Sequence, residues 1–145
     1  ALPIFGLPFR HVPTYLAGYY KYKAGDQFTE GGKPVNGKRD ICDIYAIMYE
    51  TSESVPTLDG TNAFTSPNLI STARINNAKE TNEWTYFKLP FTTLPGKFID
   101  KEKLMDGKYN IAIVFTSSLE GDRFNGAIGS TLLIDEAELI YHSED

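Results

Sequence analysis

Apolar residues recur at every second position in several short runs of this chain, and no run keeps helical spacing for three turns. The strongest run is 109–116, YNIAIVFT. Tyr109, Ile111, Ile113 and Phe115 share one face, and Asn110, Ala112, Val114 and Thr116 the other, which predicts a central strand buried on both sides. In 41–50, Cys42, Ile44, Ala46 and Met48 read as a core face, while Asp43, Tyr45, Ile47 and Tyr49 read as an amphipathic one. The run 132–141 alternates less cleanly, because Asp135 falls on the face of Leu133, Ala137, Leu139 and Tyr141.

Weaker signals fill the rest. Pro3, Pro8 and Pro13 predict an extended, irregular opening, since proline donates no ladder hydrogen bond. Tyr20 and Tyr22 then alternate against Tyr19, Lys21 and Lys23, as in a strand. Residues 29–39, with Gly-Gly and Asn-Gly, read as a turn-rich loop, and 51–67 as a long one. A short strand is expected over 69–75, with Arg74 on the face of Ile70 and Thr72, followed by a polar turn over 76–83. In 84–91, WTYFKLPF, Phe87, Leu89 and Phe91 share a face and Pro90 argues for a sheet edge. Asp106-Gly107 is a turn into the central strand, and Gly121, Gly126 and Gly129 punctuate the loop 117–130. Six or seven short strands without a long helix predict an all-β antiparallel β-sandwich, either a jelly roll or an immunoglobulin-like arrangement.

At 145 residues the chain fits a single domain, 1–145, able to bury a core without staples. A net charge of -5 without a basic run gives a phosphate backbone no counter-charge and argues against nucleic acid. The densest basic stretch, 97–103, is interleaved with Asp100 and Glu102 and reads as a solvated mixed-charge loop. The lone Cys42 allows no intrachain disulfide and reads as a buried small hydrophobe. No stretch reaches the roughly 18 apolar residues of a membrane span. The chain begins at Ala1 without a methionine, which points to trimming or processing.

The segments FGLPF, GYYKYKAGDQF, CDIYAIMYE, W-x-x-F-x-L-P-F and IAIVFTSSLEGDRFNGAIGSTLLIDEAELIY resemble the putative carbohydrate metabolism domain family of Bacteroidetes, over most of the chain. Asp43, Trp84, Ser117, Ser118, Asp122, Phe124, Gly126, Gly129, Ser130 and Asp135 occupy the characteristic positions of that pattern. The resemblance implies a jelly roll that is the C-terminal part of a longer protein with further domains. It also implies a role in glycan use and a secreted, periplasmic or cell-surface location. It supplies no catalytic residue.

Sugar recognition needs flat aromatic faces and a few fixed polar groups. On a concave jelly-roll sheet the expected ligand-binding residues are Tyr20, Tyr22, Asp43, Tyr45, Arg74 and Trp84, with Ser118, Asp122 and Asn125 from a lip over one side. The alternative for Trp84 is a place in the core, and for the loop a purely conformational role. An oligosaccharide or polysaccharide is the expected partner, with no cofactor beyond a possible structural calcium. Asp135 is the candidate metal ligand, although no DxDxDG-like run is present. Glu136 and Glu138 are the candidate catalytic pair: on a regular strand they would share a face with α-carbons about 6.5–7 Å apart. Glycosidases place their carboxyl groups roughly 5–9.5 Å apart. Solvated surface acids are the competing account. His11 and His142 lie near the termini, which argues against His triads and His/Cys zinc sites, and no GxSxG, P-loop or dinucleotide fingerprint occurs. Three functions follow from these features: a carbohydrate-binding domain, a glycoside hydrolase, or a structural module without sugar affinity.

Overall fold

The computed structural model describes residues 4–5, 7–9, 12–51, 58–59, 67–76, 78, 80–117 and 126–141. Its strands are β1 (Ile4–Phe5), β2 (Leu7–Phe9), β3 (Pro13–Lys23), β4 (Phe28–Glu30), β5 (Lys33–Val35), β6 (Asp43–Glu50), β7 (Leu58–Asp59), β8 (Leu69–Arg74), β9 (Thr85–Pro90), β10 (Thr92–Thr93), β11 (Tyr109–Thr116), β12 (Gly126–Ala127) and β13 (Thr131–Tyr141). One short helix, α1 (Lys101–Met105), interrupts them. The fold is an all-β sandwich. The two main sheets run β10-β8-β6-β11-β2 and β13-β3-β9, two small sheets are formed by β1-β7 and β12-β4-β5, and every pairing is antiparallel.

The strand periodicity locates the core. Leu16, Tyr20 and Tyr22 of β3 and Phe87 and Leu89 of β9 meet Cys42, Ile44 and Ala46 of the facing sheet. Each leucine, isoleucine or phenylalanine among them contributes roughly 1.5–3 kcal/mol by leaving water. Strand β11 is interior, as its pattern predicts, but β6 is the more buried strand, because exposure rises along β11 to Ile113 and Phe115. Both faces of β6 are covered: Tyr45, Ile47 and Tyr49 form a second cluster with Leu69 and Ala112. Pro90 sits on an edge strand, as expected.

Three local expectations change. The proline-rich opening contains β1 and β2, and β3 itself begins at Pro13. The loop 29–39 contains a hairpin, β4–β5, turned by Gly31 and Gly32 at φ +57° and +86°, the left-handed pair that a two-residue hairpin turn requires. The mixed-charge stretch runs into α1, whose N-cap Asp100 accepts hydrogen bonds from the amides of Glu102 and Lys103.

The irregular alternation of β13 has a simple cause in its pairing with β3. Asp135 pairs with Tyr19 and Glu138 with Ala17, so two residues, Glu136 and Ala137, stand opposite Gly18. Glu136 adopts φ +52°, and its amide donates to the Asp135 carboxylate at 2.9 Å. This bulge reverses the faces of the strand between its halves. Leu132, Ile134 and Leu139 therefore all point into the core, and Asp135 is turned out to solvent.

Gly18 is required at that crossing. A Cβ there would lie 2.9 Å from the Phe87 ring and 3.1 Å from the Ala137 Cα. Gly18→Ala is expected to destabilise the protein by about 1–3 kcal/mol, read as a lower midpoint in urea unfolding with an unchanged slope. An unchanged midpoint would mean that the bulge relaxes freely.

Candidate functional site

The residues expected to line one concave surface fall in three places. Asp43, Tyr45 and Arg74 are brought together on the face of the five-stranded sheet that points away from the inter-sheet core. Tyr45 stands opposite Arg74 in the β6–β8 ladder. The Arg74 guanidinium forks onto the buried Asp43 carboxylate, Nε to Oδ1 at 3.1 Å and Nη2 to Oδ2 at 2.7 Å. It also lies 5.7 Å from the centre of the Tyr45 ring. The fork fixes the guanidinium plane and neutralises a carboxylate that is only 3% exposed.

Tyr20 and Tyr22 do not join that cluster. The alternation along β3 is as expected, but their side of the strand is the one closed by the other sheet. Tyr20 packs against Phe87 with ring centres 6.1 Å apart, and burial raises its phenol pKa. The Tyr22 hydroxyl donates to the Ser117 carbonyl at 2.7 Å, and its pKa is pushed up to about 12, first by burial. Both are core residues and unavailable to a ligand. Cys42 is buried as expected, and its thiol is pushed up to about 12, by burial and then by the nearby Asp43 charge.

Trp84 lies on the other side of the molecule, half-exposed on the solvent face of the three-stranded sheet. Ser118, Asp122 and Asn125 lie outside the described residues, as do His11 and His142. The catalytic and metal candidates sit at the bulge. Glu136 takes the left-handed turn, so Glu136 and Glu138 do not form a regular same-face pair, and both are exposed. Asp135 is likewise exposed and caps the Glu136 amide. Among the described residues no group of three or more His, Cys, Asp or Glu side chains could hold a metal ion.

The solvent face around Trp84 carries residues that the alternation of β3 and β9 indicated but that were not singled out. Tyr19 pairs across the strands with Tyr86, and their rings meet at 5.3 Å with a 57° tilt. Trp84, Tyr86 and Tyr19 are 44%, 52% and 37% exposed, an unusual outlay of aromatic surface on one sheet. Lys21 Nζ lies 5.0 Å over the Trp84 ring, and Lys88 Nζ lies 4.3 Å over that of Tyr15. Tyr15 also lines an open cleft of about 570 Å³, bordered by Val12, Phe91 and Tyr141 and by Ser71 and Thr93 of the other sheet. The result is an exposed aromatic platform that runs along β3 and β9 toward a cleft. Its signal was the i, i+2 spacing of Trp84 and Tyr86, which became legible once the register set Tyr86 beside Tyr19.

The Tyr22 phenol gives the core a pH dependence. Its folded pKa lies above the unfolded value near 10, so the neutral form is favoured by folding. That stability is complete below pH 10 and is lost as the pH rises toward about 12. Tyr22→Phe, which removes one hydrogen bond, should cost about 1 kcal/mol at neutral pH. The gap between the two proteins should narrow above pH 10 in urea midpoints; a constant gap would contradict the assignment.

Comparison with known proteins places this geometry in a family. The family described as "Putative carbohydrate metabolism domain" matches residues 3–140. A solved structure described as a "putative glycoside hydrolase" from Bacteroides thetaiotaomicron VPI-5482 is 86% identical, with a TM-score of 0.96 over 97% of this chain and 41% of that one. A second, described in the same words and from Bacteroides vulgatus ATCC 8482, is 45% identical, with a TM-score of 0.89 over 96% of this chain and 56% of that one. The chain thus spans about half or less of the length of these two relatives. No curated protein matches it.

Proposed function

We propose, from the premise that this chain belongs to the putative carbohydrate metabolism domain family, that it is a carbohydrate-binding β-sandwich domain within a glycan-processing protein. The observation that carries the reading is the exposed platform of Tyr19, Trp84 and Tyr86 on one sheet face. Exposed ring faces along one sheet suit the C–H faces of pyranose sugars, and polar groups at their margins suit hydroxyls. A platform that leads to an open cleft, rather than an enclosed pocket, favours an extended polysaccharide over a monosaccharide.

The two solved relatives bring hydrolysis into view as a second reading. It rests on their descriptions, since Glu136 and Glu138 are exposed and separated by the bulge rather than opposed across a cleft. Binding therefore ranks first, with any catalysis assigned to other parts of a longer protein. A polymeric ligand and the Bacteroides relatives favour work at the cell surface or in the periplasm. No described helix is long and apolar enough to cross a membrane.

Native affinity electrophoresis against plant, mucin and microbial polysaccharides tests the proposal. At least one glycan should retard the protein, and Trp84→Ala and Tyr86→Ala should each weaken retention about tenfold while leaving the urea midpoint nearly unchanged. Retention that survives both substitutions would remove the platform from the site. Release of reducing ends from the retained glycan would instead favour the second reading.

A further inference from the structure

The cations of the platform have an arrangement that aromatic stacking alone does not explain. Elsewhere on the described surface four basic side chains pair with acids, Lys38 with Glu30, Arg39 with Glu80, Lys103 with Glu50 and Arg74 with Asp43. Lys21 and Lys88 enter no ion pair among the described residues, and each is laid over an aromatic ring. Carboxylates are present on the same sheet face, at Asp135 and Glu138, but they belong to β13, with β3 between them and β9. Charge is therefore segregated across the face, with acids along β13 and ammonium groups along β3 and β9.

The register sets the spacing. Lys88 stands beside Ala17, the Tyr19–Tyr86 pair comes two residues further on, and Lys21 over Trp84 comes two residues beyond that. At about 3.3 Å per residue the two lysine rows are about 13 Å apart, with the tyrosine pair midway. A ligand laid along β3 thus meets a cation over a ring, a pair of rings, and a second cation over a ring. An ammonium group over an aromatic face gains only about 0.5–1 kcal/mol at an exposed site and keeps its charge available to an incoming anion.

From this geometry we infer that the platform takes an acidic polysaccharide, bearing carboxylate or sulfate groups, whose sugar faces stack on Tyr19, Tyr86 and Trp84 while its anions meet Lys21 and Lys88. The inference rests on the glycan-binding reading above and narrows it to a ligand class. Net acidity of the whole chain does not oppose it, because the acids on this face lie on the other edge strand.

The test is affinity electrophoresis with polygalacturonate and alginate as carboxylated polymers, and chondroitin sulfate as one that also carries sulfate. Galactan, mannan and xylan serve as neutral comparators, at low and moderate salt. Lys21→Gln, Lys88→Gln and the double variant are compared with Lys101→Gln, which removes the same charge from α1. Acidic polymers should retard the protein more than neutral ones and less so as salt is raised. Each platform substitution should weaken that retention about fivefold, the scale of one exposed ion pair, and Lys101→Gln should leave it unchanged. The response to chondroitin sulfate against polygalacturonate separates sulfate from carboxylate recognition. Equal retention by neutral polymers, or acidic retention that survives the double variant, would overturn the inference and leave glycan binding standing. Retention by no polymer of either class would overturn both.

Discussion

The bulge opposite Gly18 is the constraint on which the sandwich depends. Strand β13 carries eleven residues along β3, and a strict two-residue period would send either its first half or its second half outward. One extra residue at Glu136–Ala137 lets Ile134 and Leu139 both reach the core. The same residue turns Asp135 out, where its carboxylate caps the bend that exposes it. Gly18 permits the close approach, and Phe87 fills the space a Cβ would need. Core, bend and glycine form one solution to a single geometric conflict.

That conflict was visible in the sequence as a carboxylate among apolar neighbours, though its resolution was not. Alternation alone cannot announce where a strand slips by one residue, because the slip is decided by the partner strand. The strong runs fared better: 109–116, 41–50 and 84–91 formed strands where the pattern placed them, and Pro90 marked an edge. The short elements did not show. The hairpin β4–β5 and helix α1 each hold too few residues for a period to emerge, and rest on a glycine pair and one capping carboxylate.

The candidate site was legible in kind more than in place. Asp43, Tyr45 and Arg74 shared a face as their spacing implied. The two sides of β3 were also distinguished correctly, but which side meets the opposing sheet follows from the packing of two sheets, beyond the reach of one strand. Tyr20 and Tyr22 became core for that reason, and Tyr19 and Lys21 became surface. The platform needed two strands in register before its rings could be seen as neighbours.

An open three-stranded sheet with exposed aromatic rings would ordinarily invite a second copy to pair along its edge. Each outer strand here carries a feature that discourages such growth. On β9, Pro90 withholds an amide and Lys88 adds charge, while on β13 the bulge bends the backbone away from the flat line that another strand would need. The residue that reconciles the core thus also discourages strand-by-strand growth from a face rich in exposed rings.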